Sequence, residues 1–226
     1  PDAVSVVRIF GTREEYLSYV GKELQWSGGV WVPAREELVI SPIDARAPEN
    51  VQQEIIRQVA FHEGFHQYIH YALGRIPVSL WFNEGAAQYF EGIEFRGGKP
   101  EVRLDERSET KLRRTFRRVT AEELAALVAM DYQTFYGENR DRNYPLAQGL
   151  VYYLLKGAPV AGKQEYARII PTYYRELAKS GDPAAATRAA FGRTNFRQLA
   201  ADLVKFWASD RLIRRSIRYN PVAGNR

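Results

Sequence analysis

The chain has 226 residues, with 32 basic and 27 acidic side chains giving a net charge of +5, three histidines and no cysteine. That length holds one enzyme-sized unit and is short for several independent domains. Hydrophobic residues at 45% and charged residues at 26% exclude a disordered or fibrous chain, the lack of cysteine excludes disulfides and thiol chemistry, and no apolar run approaches the roughly 18 residues of a membrane span.

The polypeptide therefore reads as soluble. Its compartment stays open: Met130 is the only methionine and Pro1 comes first, so the segment reads as trimmed, processed or cut from something longer, and a lost export signal fits that reading. The basic excess is concentrated from Lys111 to Arg118 and from Arg211 to Arg218. Both stretches read as solvated helix faces, so no nucleic-acid partner is expected.

In chain order, VSVVRIF predicts a strand, TREEYLSYV a short helix, and VWV and LVIS two strands around PAREE. From about Glu49 the sequence places Val51, Ile55 and Val59, then Ile56, Ile69 and Leu73, at helical spacings and ends at Gly74, which predicts one long, largely buried helix. After RIPVS a second helix is expected through LWFNEGAAQYFEGIEF, capped by Ser79 and stopped by Gly97 and Gly98. Thr120 and Glu123 form a capping box before ELAALVAM, and Pro145 suits the first turn of PLAQGLVYYLL, closed by Gly157. Pro171 should kink QEYARIIPTYYRELAKS, and Thr194 should cap NFRQLAADLVKFWAS. The expected class is α+β: a small N-terminal sheet with an edge hairpin, two helices after it, and a mostly helical second half. Residues 1–98 would form the metal-bearing subdomain, 99–218 a helical subdomain completing the cleft, and 219–226 a loose tail.

His62-Glu63-Gly64-Phe65-His66 lies inside the long predicted helix. Residues four apart share one helix face, with Cβ atoms about 5–6 Å apart, so two imidazoles can reach one ion at about 2.0–2.1 Å. Glu63, offset around the helix, would take a proton from a water activated by the metal and would not bind the metal itself. A catalytic zinc needs a third protein ligand and one open position. Glu84 is the candidate, because an unpaired carboxylate among Trp81, Phe82, Ala86, Ala87 and Phe90 would be costly. Asn83 is its neighbour and a candidate support for the site. His70 continues the row but lies about 12 Å along the axis from His62, so it reads as a packing or hydrogen-bonding residue. The metzincin spacing is excluded, since Ala72 stands where its third histidine would be.

HEGFH followed by WFNEGAAQYFEG resembles the gluzincins, H-E-x-x-H metallopeptidases whose third ligand is a glutamate, and in particular their small peptidase-MA-like members. The resemblance runs from about Gly28 to Leu155. It implies one Zn2+ held by His62, His66 and Glu84, Glu63 as general base, and peptide or protein substrates. It also implies that the strand Val30-Trp31-Val32 aligns an extended substrate, and that a tyrosine opening a later helix stabilises the oxyanion. Tyr144, just before Pro145, matches that tyrosine, with Tyr136 and Tyr132 as nearby alternatives. Gln88 stands where many relatives carry an acidic residue that orients a zinc-bound histidine; its carbonyl can still accept that N–H, with less charge. No G-A-M-E-N-like stretch is present, so an endopeptidase is expected ahead of an aminopeptidase. The alternative is a domain of this type that binds zinc without catalysis.

Overall fold

The computed structural model describes residues 6–43 and 46–219. Its contacts divide the chain between Arg75 and Ile76 into two compact units. The class is α+β, with a small N-terminal sheet followed by helices, as the periodicities predict.

The first unit contains β1 (Val6–Ile9), α1 (Arg13–Val20), a 3-10 turn at Lys22–Leu24, β2 (Gly29–Val32), β3 (Glu37–Ile40) and α2 (Glu49–Ala72). Thr12 and Glu15 close a capping box at the start of α1, satisfying N–H groups that the first turn leaves open. The sheet order is β1-β3-β2: β1 runs parallel to β3, and β2 forms an antiparallel hairpin with it. Trp31, Leu38 and Ile40 bury one sheet face against Val59, Ala60 and Tyr71 of α2. Each such large side chain favours the packing by roughly 1.5–3 kcal/mol. Beside this core, Arg8 donates to Glu37 at 2.7 Å and the Tyr19 hydroxyl also donates to Glu37.

The second unit opens with α3 (Leu80–Glu91), the hairpin of β4 (Ile93–Arg96) and β5 (Lys99–Val102), α4 (Glu106–Phe116), α5 (Ala121–Ala129), α6 (Tyr132–Tyr136) and α7 (Arg140–Tyr152). A π-helical turn at Tyr153–Gly157 follows, then α8 (Ala158–Val160), α9 (Gln164–Ala167), α10 (Ile169–Ser180), α11 (Pro183–Phe191), α12 (Phe196–Trp207) and α13 (Asp210–Arg218). Trp81, fully buried, has ring contacts at 5.2 Å with both Tyr173 and Phe191, and its Nε1–H donates to Thr187 Oγ1 at 3.1 Å. A second aromatic cluster stacks Phe116 on Trp207, beside Tyr152 and Phe206. Helices α3 and α7 approach so closely at Gly85 that a Cβ there would lie 2.5 Å from the Ala147 carbonyl oxygen. A larger residue would push α3, and Glu84 with it, off α7.

Several boundaries differ from expectation. Ile93-Glu94-Phe95 is a strand rather than the end of a helix: α3 stops at Glu91, and Gly97 and Gly98, both at positive φ, form the turn of the β4–β5 hairpin. Helix α7 starts at Arg140, which puts Pro145 inside it. The N–H that proline lacks would have bonded to the Asp141 carbonyl, and Asp141 is exposed, so water can serve that group instead. The break expected at Pro171 falls earlier, at Arg168, and leaves Pro171 in the first turn of α10. Asn195, not Thr194, caps α12 with its side chain. Ser79 holds the N-cap position of α3, but its hydroxyl bonds to the Pro183 carbonyl and Thr187 Oγ1 instead of capping. The tail expected after Arg218 lies, from residue 220 onward, outside the described residues.

Lys156, in the π-helical turn, is buried and donates to the carbonyls of Val102 at 3.1 Å and Ile217 at 3.4 Å. Burial lowers the pKa of its amine because the charged form loses hydration.

Candidate metal centre

His62 and His66 sit one turn apart on α2, with ring centroids 4.8 Å apart and planes at 81°. Glu84 sits on α3 and is only 2% exposed. One ligand atom from each of His62, His66 and Glu84 lies within 4.8 Å of the other two, which makes these three a possible metal-binding triad. A tetrahedral ion with bonds of about 2.0–2.2 Å holds its ligand atoms roughly 3.4 Å apart. The donors fit as a set: two imidazoles and one carboxylate suit a divalent transition metal, and a buried carboxylate beside them gains from a cation.

Glu84 is held from its own unit. The Tyr136 hydroxyl, at the end of α6, donates to Glu84 Oε1 at 2.6 Å. Burial first, then the Glu84 charge, pushes the Tyr136 phenol far above its ordinary pKa, so it stays protonated and remains a donor. Tyr144 lies in the same cluster, its ring 6.1 Å from that of Tyr136 and 5.4 Å from that of Phe135, and it is half-buried. Asn83 and Gln88 are both half-buried on α3, and the Gln88 main-chain carbonyl accepts from Gln148 Nε2 at 3.4 Å.

Glu63 is buried, and its Oε2 accepts the main-chain N–H of Trp31 at 2.7 Å. The strand register explains why that N–H is available. Ser41 donates to the Gly28 carbonyl at 2.9 Å, which sets the phase of the antiparallel ladder. Val30 and Val32 then turn their main-chain groups toward β3, while Gly29 and Trp31 turn theirs to the outer edge of β2. Among the described residues, no strand pairs with β2 on that side. The Trp31 side chain points the other way, into the core, where its ring meets His70 at 5.6 Å. Of the packing or hydrogen-bonding role expected of His70, this ring contact supplies the packing.

Two contacts lay beyond sequence reasoning. Tyr136 is 52 positions from Glu84, and no spacing rule links them; it stood only as a neighbour of Tyr144. The anchor of Glu63 is a main-chain group, and only the register reveals which strand residue presents it.

None of the curated proteins compared with this chain matches it. Residues 50–176 match the family described as Protein of unknown function (DUF1570). The matched stretch begins in α2, ends in α10, and contains the triad, Glu63, Tyr136 and Tyr144. Since the match takes in more than half of the sequence, the chain belongs to the DUF1570 family.

Proposed function

We propose that this chain is a zinc metallopeptidase of the gluzincin type, cleaving peptide bonds within extended polypeptides. One observation carries the reading: two imidazoles a helical turn apart and a buried carboxylate gather within 4.8 Å, with a second buried carboxylate, Glu63, next to His62. A structural site would have no need of that fourth group.

When bound, zinc supplies Lewis acidity, polarising the substrate carbonyl and making water acidic enough to lose a proton near neutral pH. His62, His66 and Glu84 would hold the ion, and Tyr136 fixes Glu84 through its hydroxyl. Glu63 takes the proton and returns it to the leaving amine, with the Trp31 N–H holding its carboxylate in place. Because Tyr136 is committed to Glu84, Tyr144 is the phenol assigned to the oxyanion, a role in which one donor is worth about 3–4 kcal/mol. The substrate adds as a strand along the outer edge of β2. With the Trp31 N–H engaged by Glu63, pairing falls to the Trp31 carbonyl and the main-chain groups of Gly29, and Val30 and Val32 back the strand from inside the sheet.

The test joins metal analysis of the purified protein with chelator-sensitive proteolysis of an unfolded protein. The reading requires one zinc per chain, loss of zinc on Glu84→Ala, and loss of hydrolysis with zinc retained on Glu63→Gln. Undiminished hydrolysis by Glu63→Gln, or no stoichiometric metal, overturns it. Stoichiometric zinc without hydrolysis would favour the scaffold alternative.

A further inference from the structure

The helix α13 carries Arg211, Arg214, Arg215 and Arg218, spaced i, i+3, i+4 and i+7. These positions form one face of a helix. Its opposite face is sealed: Ile213 and Ser216 are 1% and 0% exposed, and the Ser216 hydroxyl is bonded to the Tyr152 hydroxyl at 3.0 Å. All four arginines are exposed, and among the described residues none has a carboxylate within ion-pair distance. The one acid of the helix, Asp210, is taken by Arg113 of α4 at 2.6 Å. Together with Asp210, the four arginines line a shallow, open concavity.

An ordinary solvated face mixes signs or forms i,i+4 pairs along the helix. Here the single acid, Asp210, is spent on Arg113, and among the described residues no i,i+4 ion pair forms along the helix. Four guanidinium groups spread over eight positions, roughly 10 Å along the axis, repel one another unless an anion lies over them. Arginine in place of lysine adds flat, two-pronged donors matched to phosphate oxygens. Among the described residues lining the concavity there is no aromatic ring to stack on a base and no amide or hydroxyl to read a base edge, the groups that nucleic-acid recognition adds to phosphate contact. An array of phosphates with nothing to read or stack is what an anionic lipid surface offers.

From this face we infer that α13 is a peripheral docking surface for membranes rich in anionic phospholipid. The association is purely electrostatic, since the apolar side of the helix is spent on the protein core and no helix among the described residues is long and apolar enough to cross a bilayer. It rests on nothing at the metal triad, so either reading can fail without the other.

The experiment floats the full chain with vesicles of phosphatidylcholine alone or mixed with phosphatidylglycerol, at low and high salt. Two variants of equal net charge are compared: Arg211→Gln, Arg214→Gln, Arg215→Gln and Arg218→Gln together, and Arg107→Gln, Lys111→Gln, Arg114→Gln and Arg117→Gln together on and just after α4. All eight positions are exposed, so both variants should keep the native melting temperature. The expected result is binding to the mixed vesicles only, abolished at high salt as the screening length falls from about 10 Å to about 3 Å. Each arginine removed from α13 should lower the partition coefficient about five-fold, so that the α13 variant loses several hundred-fold and the α4 variant far less. Equal losses in the two variants would reduce the effect to net charge and overturn the site. No binding to mixed vesicles at low salt would overturn it as well, as would duplex or single-stranded nucleic acid competing vesicles off through the same four arginines.

Discussion

Gly29→Ala tests how the proposed base is held. A Cβ at that position would stand 2.6 Å from Val59 Cγ1, 3.0 Å from the Val39 carbonyl oxygen and 3.2 Å from Glu63 Cγ. Ordinary carbon contacts lie near 3.5–4.0 Å, so something must move by about 1 Å. Moving the Glu63 side chain relieves only the 3.2 Å contact; the 2.6 Å contact with Val59, β-branched and fixed on α2, opens only if β2 shifts off α2 by about 1 Å, which draws the Trp31 N–H away from Glu63. Overpacking of this kind costs about 1–3 kcal/mol, which for a chain of this size lowers the melting temperature by roughly 2–12 °C. A displacement near 1 Å at a catalytic group costs about a hundred-fold in turnover. The assay is kcat on an unfolded-protein substrate at verified zinc content, beside hydrogen exchange at the Trp31 amide. We expect turnover to fall about a hundred-fold with zinc retained, and the Trp31 amide to exchange faster because it has been drawn off its acceptor. The amide measurement stands apart from catalysis: Glu63→Ala should deprotect Trp31, while Glu63→Gln, which keeps an acceptor oxygen, should not. A Gly29→Ala protein with native stability, native Trp31 protection and native turnover would refute the reasoning.

Tyr136→Phe removes the donor to Glu84 Oε1 and should weaken zinc binding about 10–100-fold in a chelator competition; unchanged affinity would show that Tyr136 does not position the ligand. Trp81→Ala deletes the ring between Tyr173 and Phe191 and strands the Thr187 hydroxyl, and should cost about 3–5 kcal/mol in denaturant unfolding, a cost below 1 kcal/mol contradicting the packing described. Arg8 first, and then Tyr19, hold the Glu37 carboxyl down from 4.5 to about 2 in the folded protein. The folded value lies below the unfolded one, so the contribution is complete above about pH 4.5 and is lost as pH falls toward 2. The melting temperature of the parent should therefore drop more steeply across that window than that of Glu37→Gln, and parallel curves would argue against the assignment.

The triad was legible because an i,i+4 pair on a strongly periodic helix has one geometric outcome, and because a glutamate among Trp81, Phe82 and Ala87 cannot stand alone in an apolar setting. The β2–β3 hairpin was legible from two short apolar, β-branched runs on either side of PAREE. Ile93-Glu94-Phe95 was misread since three residues beside a glycine pair satisfy a helix end and a hairpin equally well, and pairing with β5 decided it. The start of α7 was misplaced because proline was given its commonest helical position, although an exposed residue one turn earlier permits another. Tyr136 and the Trp31 N–H could not be read at all, since long-range partners and strand register arise only in three dimensions.

The amine of Lys156 has consequences for anyone shortening this protein. Its two acceptors come from β5 and from the penultimate residue of α13. A chain ended before Ile217 would maroon a cation in the interior with half of its compensation gone, a penalty of a few kcal/mol in proteins that tolerate it at all. The last described helix is thus wired to the hairpin by one methylene-stemmed tether, and any truncated version must keep Ile217.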